Sequence, residues 1–422
     1  MMRQLSILAS FLLLPSLIVA NHDIELERTV LEAQIPKPLS DHTASLAQDN
    51  LVYIAGGCDD PNGNTFDANA SFFTCGSVSD SFYSFNPETK EFKTLPNLPS
   101  PRYRHASAAV NNQIWIVGGR SLEDGLLTDV NVFDIATQSW TTVELPEEYA
   151  TSDLAGWATA THAYFAGGYT ANYTAQTTVF SIDVSSFGEL AEPEVIRHAD
   201  LKEARGDVAA TVNLGTGYAY IGGGFSHENN FCRPLESVER YSLDGDTWIK
   251  VASLPTARAD KVMVTLEDHI ISMGGERQDD NICDIDNPSP GELTLAVDDI
   301  EVLNDDDSTW EISSALPETR FRFAAVAYKN TIYTFGGQHG YDETCNCLKT
   351  TNEVVTYVDV SPDEDAGDVY SHEDGDHDHH DDTKDEAATT NPPGASVTDD
   401  SGATSFSTMT AGLALLLAAF FS

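Results

Sequence analysis

Basic residues are scarce in this 422-residue chain: 22 Lys and Arg stand against 67 Asp and Glu, a formal net charge of −45. Such a chain repels phosphate, which excludes nucleic-acid binding, and adsorption to anionic lipid is excluded for the same reason. No nucleophile constellation and no phosphate-cradling glycine loop appears. Long apolar runs are also missing, since the stretches at both ends fall short of the roughly 20 residues a membrane span needs. What remains, 41% hydrophobic and 9% aromatic, suffices for a packed fold, and the length suggests two or three domains.

The ends are addresses. Residues 1–20 open Met-Met-Arg, continue uncharged from Leu5 to Val19 and end on Ala20, which is the pattern of a secretory signal peptide. Residues 411–422, AGLALLLAAFFS, follow a polar spacer and the small trio Ser401-Gly402-Ala403. Small residues, a spacer and a short terminal apolar tail make a glycosylphosphatidylinositol attachment signal with Ser401 as the acceptor. A site nearer Gly394-Ala395-Ser396, a tail-anchored helix and free secretion are the alternatives. The division is therefore a signal peptide at 1–20, a fold at 21–360, a stalk at 361–408 and an anchor signal at 409–422. The stalk is acidic and His-rich, then Thr- and Ser-rich. It has too little apolar surface to offset its ordering entropy, so it is expected to be disordered.

Self-comparison collapses the domain count. Gly-Gly pairs occur at 56, 118, 167, 222, 274 and 336, each closing an apolar run such as LVYIAGG, IWIVGG or TIYTFGG. In a second register, Phe85 and Phe92, Phe133 and Trp140, Phe180 and Phe187, Tyr241 and Trp248, and Leu303 and Trp310 stand seven apart. Leu-Pro follows most of the later members. The stretch VERYSLDGDTWIKVASLPTARAD, residues 238–260, joins every part of the pattern.

This pattern resembles the kelch repeat, over about residues 24–360. The resemblance implies an all-β, six-bladed β-propeller. The sixth unit lacks its last strand before the stalk begins. The extended segment Ile24–Pro36 is expected to supply it and close the ring.

Six cysteines, at 58, 75, 232, 283, 345 and 347, lie in segments between second and third strands. In a secreted chain an even count favours disulfides. Cys58 with Cys75, Cys232 with Cys283 and Cys345 with Cys347 is one scheme; cross-pairing of 345 and 347 with 58 and 75 is another. The sequons at Asn69 and Asn172 fall in the same class of loop and mark glycosylation sites. One face thus carries the insertions, cysteines and sugars, where recognition usually resides.

Residues 21–360 hold 20 basic and 53 acidic side chains, a formal −33. Against that background six of the twelve arginines recur before the apolar runs: Arg102 and Arg104, Arg205 with Asp207, Arg258 with Asp260, and Arg320 and Arg322. Blade 3 offers Asp153 and blade 1 His42. A period of two sends both members of a pair to one side of a strand. Related kelch propellers hold acidic ligands with arginines at the channel mouth, and guanidinium forks suit carboxylates. The alternative is Arg–Asp pairing that locks neighbouring blades.

No metal or cofactor is assigned. His42, His227 and His339 share the decorated face; the loop 59–67, the acidic stretches 279–286 and 304–307, and the stalk motif HEDGDHDHHDD are minor candidates for calcium or zinc. Some kelch propellers are enzymes, copper oxidases and a sugar epimerase among them. Here every cysteine has a loop position, and the Glu-x-x-x-Asp-x-x-x-His iron pattern of some relatives fails because Thr211 follows Glu203 and Asp207. The sequence therefore reads as a surface-displayed, non-enzymatic, monomeric binding module for an extracellular protein, a glycan or an acidic ligand. A secreted carbohydrate-active enzyme is the runner-up.

Overall fold

The computed structural model describes residues 24–361 apart from 68–71, 123–124, 187–193, 230, 232 and 280–288. The segments expected to be a signal peptide, a stalk beyond Ser361 and an anchor signal with Ser401, together with the sequon residue Asn69, Cys232 and Cys283, lie outside the described residues.

Six four-stranded antiparallel sheets follow one another along the chain. Blade 1 runs Thr43–Leu46, Val52–Ala55, Phe82–Asn86 and Glu91–Thr94; blades 2 to 5 repeat this sequential order. The first strands, Thr43–Leu46, Ala106–Val110, Ala155–Ala158, Ala209–Asn213, Val262–Leu266 and Ala324–Tyr328, pack successively on one another, and the last returns to the first. Most of their residues are small, and hydroxyls bridge neighbouring blades: Ser45 Oγ lies 2.6 Å from Ser107 Oγ, and Thr211 Oγ1 lies 2.9 Å from Thr265 Oγ1. The protein is a six-bladed β-propeller.

Blade 6 is completed from the other end of the chain. Leu26–Gln34 pairs antiparallel with Glu353–Asp359, matching Leu26 to Asp359 and Val30 to Val355. The following Ile35 is fully buried, with Leu39, Phe335 and Val354. The ring is therefore closed by an N-terminal strand, which covers the hydrogen-bonding edge of Glu353–Asp359.

The seven-residue aromatic spacing is a hairpin register. Phe85 pairs with Phe92, Phe133 with Trp140, Tyr241 with Trp248 and Leu303 with Trp310, each directly across the third and fourth strands. Blade 3 is a correction: Phe180 pairs with Arg197, because an insertion after Val184 lengthens that hairpin. Phe187 lies outside the described residues.

The Gly-Gly pairs weld blades together. The second glycine of each pair donates its N–H to a carbonyl of the next blade's entry segment: Gly57 to Arg102, Gly119 to Thr151, Gly168 to Arg205, Gly224 to Arg258, Gly275 to Arg320 and Gly337 to Leu39, at 2.8–3.0 Å. In blade 4 the working pair is Gly223-Gly224, one residue later than the first Gly-Gly of that run. Gly57 shows why no larger residue serves. Its φ is +100°, and a Cβ there would sit 2.6 Å from the Ser40 carbonyl oxygen.

A second closure joins blades 6 and 1. Loop strands Gln338–Asp342 and Cys347–Thr350 of blade 6 form one sheet with Asn64–Asp67 and Phe72–Thr74 of blade 1, joined by Cys347 opposite Thr65. Phe73, Phe321 and Leu348 make its small core.

Candidate functional site

One residue of each blade, just before its first strand, forms the rim of the channel mouth: Asp41, Arg104, Asp153, Asp207, Asp260 and Arg322. All six have φ between +50° and +60°, a left-handed turn that lets the backbone N–H reach the preceding blade. Asp41 donates to the Arg322 carbonyl, Arg104 to Asp41, Asp153 to Arg104, Asp260 to Asp207 and Arg322 to Asp260, at 2.7–3.0 Å. The rim encloses a recess of about 110 Å³ whose walls include the next residue of each blade, among them His42, His105 and Lys261.

This geometry divides the arginines that the sequence grouped together. The turn at Arg104 and Arg322 breaks the period of two, so Arg102 and Arg320 point elsewhere. Arg102, Arg205, Arg258 and Arg320 are buried and hold their own blades. Arg102 donates to the carbonyls of Gly118 and Asp129 and meets the Asp129 carboxylate at 2.6 Å. Arg205 donates to the Gly223 and Ser237 carbonyls and to Glu239 at 3.0 Å. Arg258 donates to the Gly274 carbonyl and pairs with Glu301, and Arg320 reaches Glu353 at 2.7 Å. The expectation that these four line the mouth is therefore corrected: with no exposed guanidinium they clamp strands within a blade. Their pairing is also within blades rather than between them.

Arg104, Asp207, Asp260 and Arg322 do line the mouth, together with Asp153. Here the pairing between blades is real. Arg104 Nε lies 3.6 Å from Asp41 and 3.5 Å from Asp153; Arg322 Nε lies 2.9 Å from Asp260 and 3.7 Å from Asp41. Burial alone would lower both guanidinium pKa values, but the surrounding carboxylates outweigh it and hold both above the ordinary arginine range. Glu276, which follows Gly275, turns toward Arg322 NH2 at 3.6 Å. Burial, and then the nearby Asp260, push its carboxyl up to about 8. Asp207 is raised well above the carboxylate range by burial and by Asp260 and Asp153. Tyr169 Oη donates to Asp207 Oδ2 at 2.8 Å.

Counting Glu276, five carboxyls face two guanidiniums, so the mouth does not suit an acidic ligand. Beside it stands an aromatic wall. Tyr169 packs on Tyr173 and Phe231, and the Arg120 guanidinium lies 4.1 Å over the Tyr173 ring.

Asp41, Glu276, Tyr169 and Arg120 escaped the sequence reading. Asp41 had a signal: Ser40-Asp41-His42 repeats the Tyr103-Arg104-His105 arrangement. So did Glu276, since the residue after Gly-Gly is buried in every blade, as Cys58, Arg120, Tyr169, Phe225, Glu276 and Gln338. A glutamate there is out of place without a partner.

The remaining candidates have local roles. Burial lowers the His42 imidazole to about 3 and keeps it neutral. His227 Nδ1 accepts from the Ala175 N–H, and His339 sits against Thr319 and Glu318. In the loop 59–67, Asp59 is held by Lys37 and Ser77, while Asp60 caps the Asn62 and Gly76 N–H groups. In 304–307, Asp307 serves Arg240 and Tyr220. Most of 279–286 lies outside the described residues. Among the described residues no group of three or more His, Cys, Asp or Glu could hold a metal ion. Disulfides join Cys58 to Cys75 and Cys345 to Cys347. Asn172 is exposed in the turn from Thr170 to Thr174. A larger cleft of about 1020 Å³ lies between blades 4 and 5, lined by Glu203, Lys250, Arg277 and Asp298 among others, away from the rim.

The fold and its six-membered rim define a propeller built from one repeated sheet. The profile described as the KLHDC2/KLHL20/DRC7 Kelch-repeats domain matches residues 17–193 and 70–275, together more than half of the chain. The chain belongs to the kelch-repeat family. It is similar to Kelch-like protein 40 of Mus musculus, 25% identical over 286 residues, covering 67% of this chain and 41% of that one. It is also similar to alpha-scruin of Limulus polyphemus, 28% identical over 153 residues, covering 36% of this chain and 16% of that one. The match thus spans less than half the length of each. Among solved structures, YjhT superposes with a TM-score of 0.59 over 77% of this chain and 99% of its own, at 15% identity, which speaks to the fold alone.

Proposed function

We propose that this protein is an extracellular interaction module, secreted, N-glycosylated and displayed at the cell surface by a lipid anchor at Ser401, which presents the rim-bearing end of the propeller to a protein partner. The observation that supports the reading most is the concentration of chemistry at one end. The rim, the loop sheet of blades 6 and 1, both described disulfides and Asn172 all belong to the segments around the Gly-Gly turns. Rigid scaffolds with elaborated loops at one end are built for recognition.

The test uses the full chain with an epitope inserted after Ala20 and expressed on cells. Phosphatidylinositol-specific phospholipase C should release it to the medium, and a panel of extracellular proteins should contain one that binds the released protein. Retention inside the cell, or a surface pool that the lipase leaves in place, would sink the anchoring part. Metal analysis of the released protein addresses the enzymatic alternative, which stoichiometric copper or iron would favour.

A further inference from the structure

The charges of the rim alternate around most of the ring. Asp41, Arg104 and Asp153 follow one another, and Asp260, Arg322 and Asp41 complete the return. Blade 4 breaks the order, since Asp207 stands where alternation calls for a cation. Three consecutive blades therefore present Asp153, Asp207 and Asp260, with Glu276 beside the last. Among the described residues no cation of the rim stands between them. Asp260 and Asp153 both act on the Asp207 carboxyl, and Asp260 acts on that of Glu276, in each case raising it. Burial adds to this, so in the free protein the Asp207 and Glu276 carboxyls hold protons.

Two further observations point to a ligand. Glu276 is 5% exposed, and its Oε2 has no hydrogen-bond partner although the carboxyl is turned to Arg322 and Asp260 in the rim. A buried polar atom left this way is costly and calls for a partner. On the other flank, Tyr169, the donor to Asp207, belongs to the aromatic wall on which the protein already lays one guanidinium, that of Arg120.

We propose that the rim at blade 4 binds one guanidinium, that of an arginine side chain on a protein partner, placed among Asp153, Asp207 and Asp260. The inference rests on the interaction-module reading and names the chemistry its partner must carry. A planar five-donor fork matches paired carboxyls where a lysine ammonium, a point charge, does not. A recess of about 110 Å³ takes a side-chain tip and not a folded surface. The formal −33 of residues 21–360 steers a basic partner toward it. The other titratable groups facing the arc leave the logic intact. Arg104 and Arg322 are already paired, and Asp41 lies between them. Burial lowers the pKa values of Lys261, His42 and His105.

Entry of the cation displaces protons, so binding should strengthen as pH rises. The experiment is calorimetry on the lipase-released full-length protein with the peptide Gly-Arg-Gly and its citrulline counterpart, at pH 6 and pH 8 in buffers of different ionisation enthalpy. The arginine peptide is expected to bind with proton release and to tighten by about tenfold over that range. The citrulline peptide, which keeps the shape without the charge, is expected to bind at least about tenfold more weakly. Asp207→Asn should abolish the difference between the peptides while leaving the thermal midpoint at or above that of the parent, which separates loss of the site from loss of the fold. Equal binding of both peptides, or a preference that survives Asp207→Asn, would overturn the proposal. A protein partner whose binding is untouched by Asp207→Asn and by excess arginine peptide would also overturn it, yet leave the interaction-module reading standing.

Discussion

The guanidinium of Arg205 and the carboxylate of Glu239 meet at 3.0 Å, and neither side chain exposes any surface. Glu239 also accepts the backbone N–H groups of Lys202 and Glu203, so this one pair ties the entry segment of blade 4 to its third strand. Arg102, Arg258 and Arg320 do equivalent work in their own blades.

Arg205→Ala should be severe because it leaves the Glu239 carboxylate buried without its partner. A loss of about 3–5 kcal/mol is expected in urea unfolding, as for other broken buried pairs. A loss below about 1 kcal/mol would mean that the pair is dispensable.

Removing residues 21–36 takes away the fourth strand of blade 6 and uncovers the hydrogen-bonding edge of Glu353–Asp359. The shortened protein should self-associate, seen as a shift to large species in size exclusion with light scattering. A monomer of unchanged thermal stability would show that closure does not depend on this strand.

Gly57→Ala should cost about 1–3 kcal/mol, because it adds a Cβ in a left-handed backbone 2.6 Å from the Ser40 carbonyl. Gly125→Ala is the control. Its nearest neighbour would be Ser121 Oγ at 3.9 Å, and the change should stay within about 0.5 kcal/mol. Equal effects at both positions would remove the argument for the glycine weld.

Glu276 gives stability a pH dependence of definite sign. Its carboxyl sits at about 8 in the fold against 4.5 for the ordinary group. Between those values the folded state keeps a proton that the unfolded chain releases, so its contribution falls as pH rises and levels off above about 8. Glu276→Gln should melt close to the parent near pH 4 and above it at pH 8.5. A parent that melts higher at pH 8.5 would contradict the assignment.

How much could be read in advance follows from how local each feature is. The hairpin pairs Phe85–Phe92 and Tyr241–Trp248 span seven residues, so their register survives in spacing alone. Phe180 departs from it only because its hairpin carries an insertion. The missing fourth strand of blade 6 was legible because five complete units made its absence visible. The loop sheet joining Asn64–Asp67 to Cys347–Thr350 was not, since nothing in either segment specifies a partner nearly 300 positions away.

The amino-acid sequence by itself determined the repeat, the number of blades and the strand that closes them, because each depends on periodic apolar runs and on glycines that any blade junction needs. Only the tertiary structure decided what the arginines do. Arg102 and Arg104 are two residues apart and chemically identical, but a left-handed turn at Arg104 sends one guanidinium into the blade and leaves the other at the mouth. Charge alternation around the rim, and its failure at Asp207, exist only once six segments separated by some 50 residues each are brought into a ring.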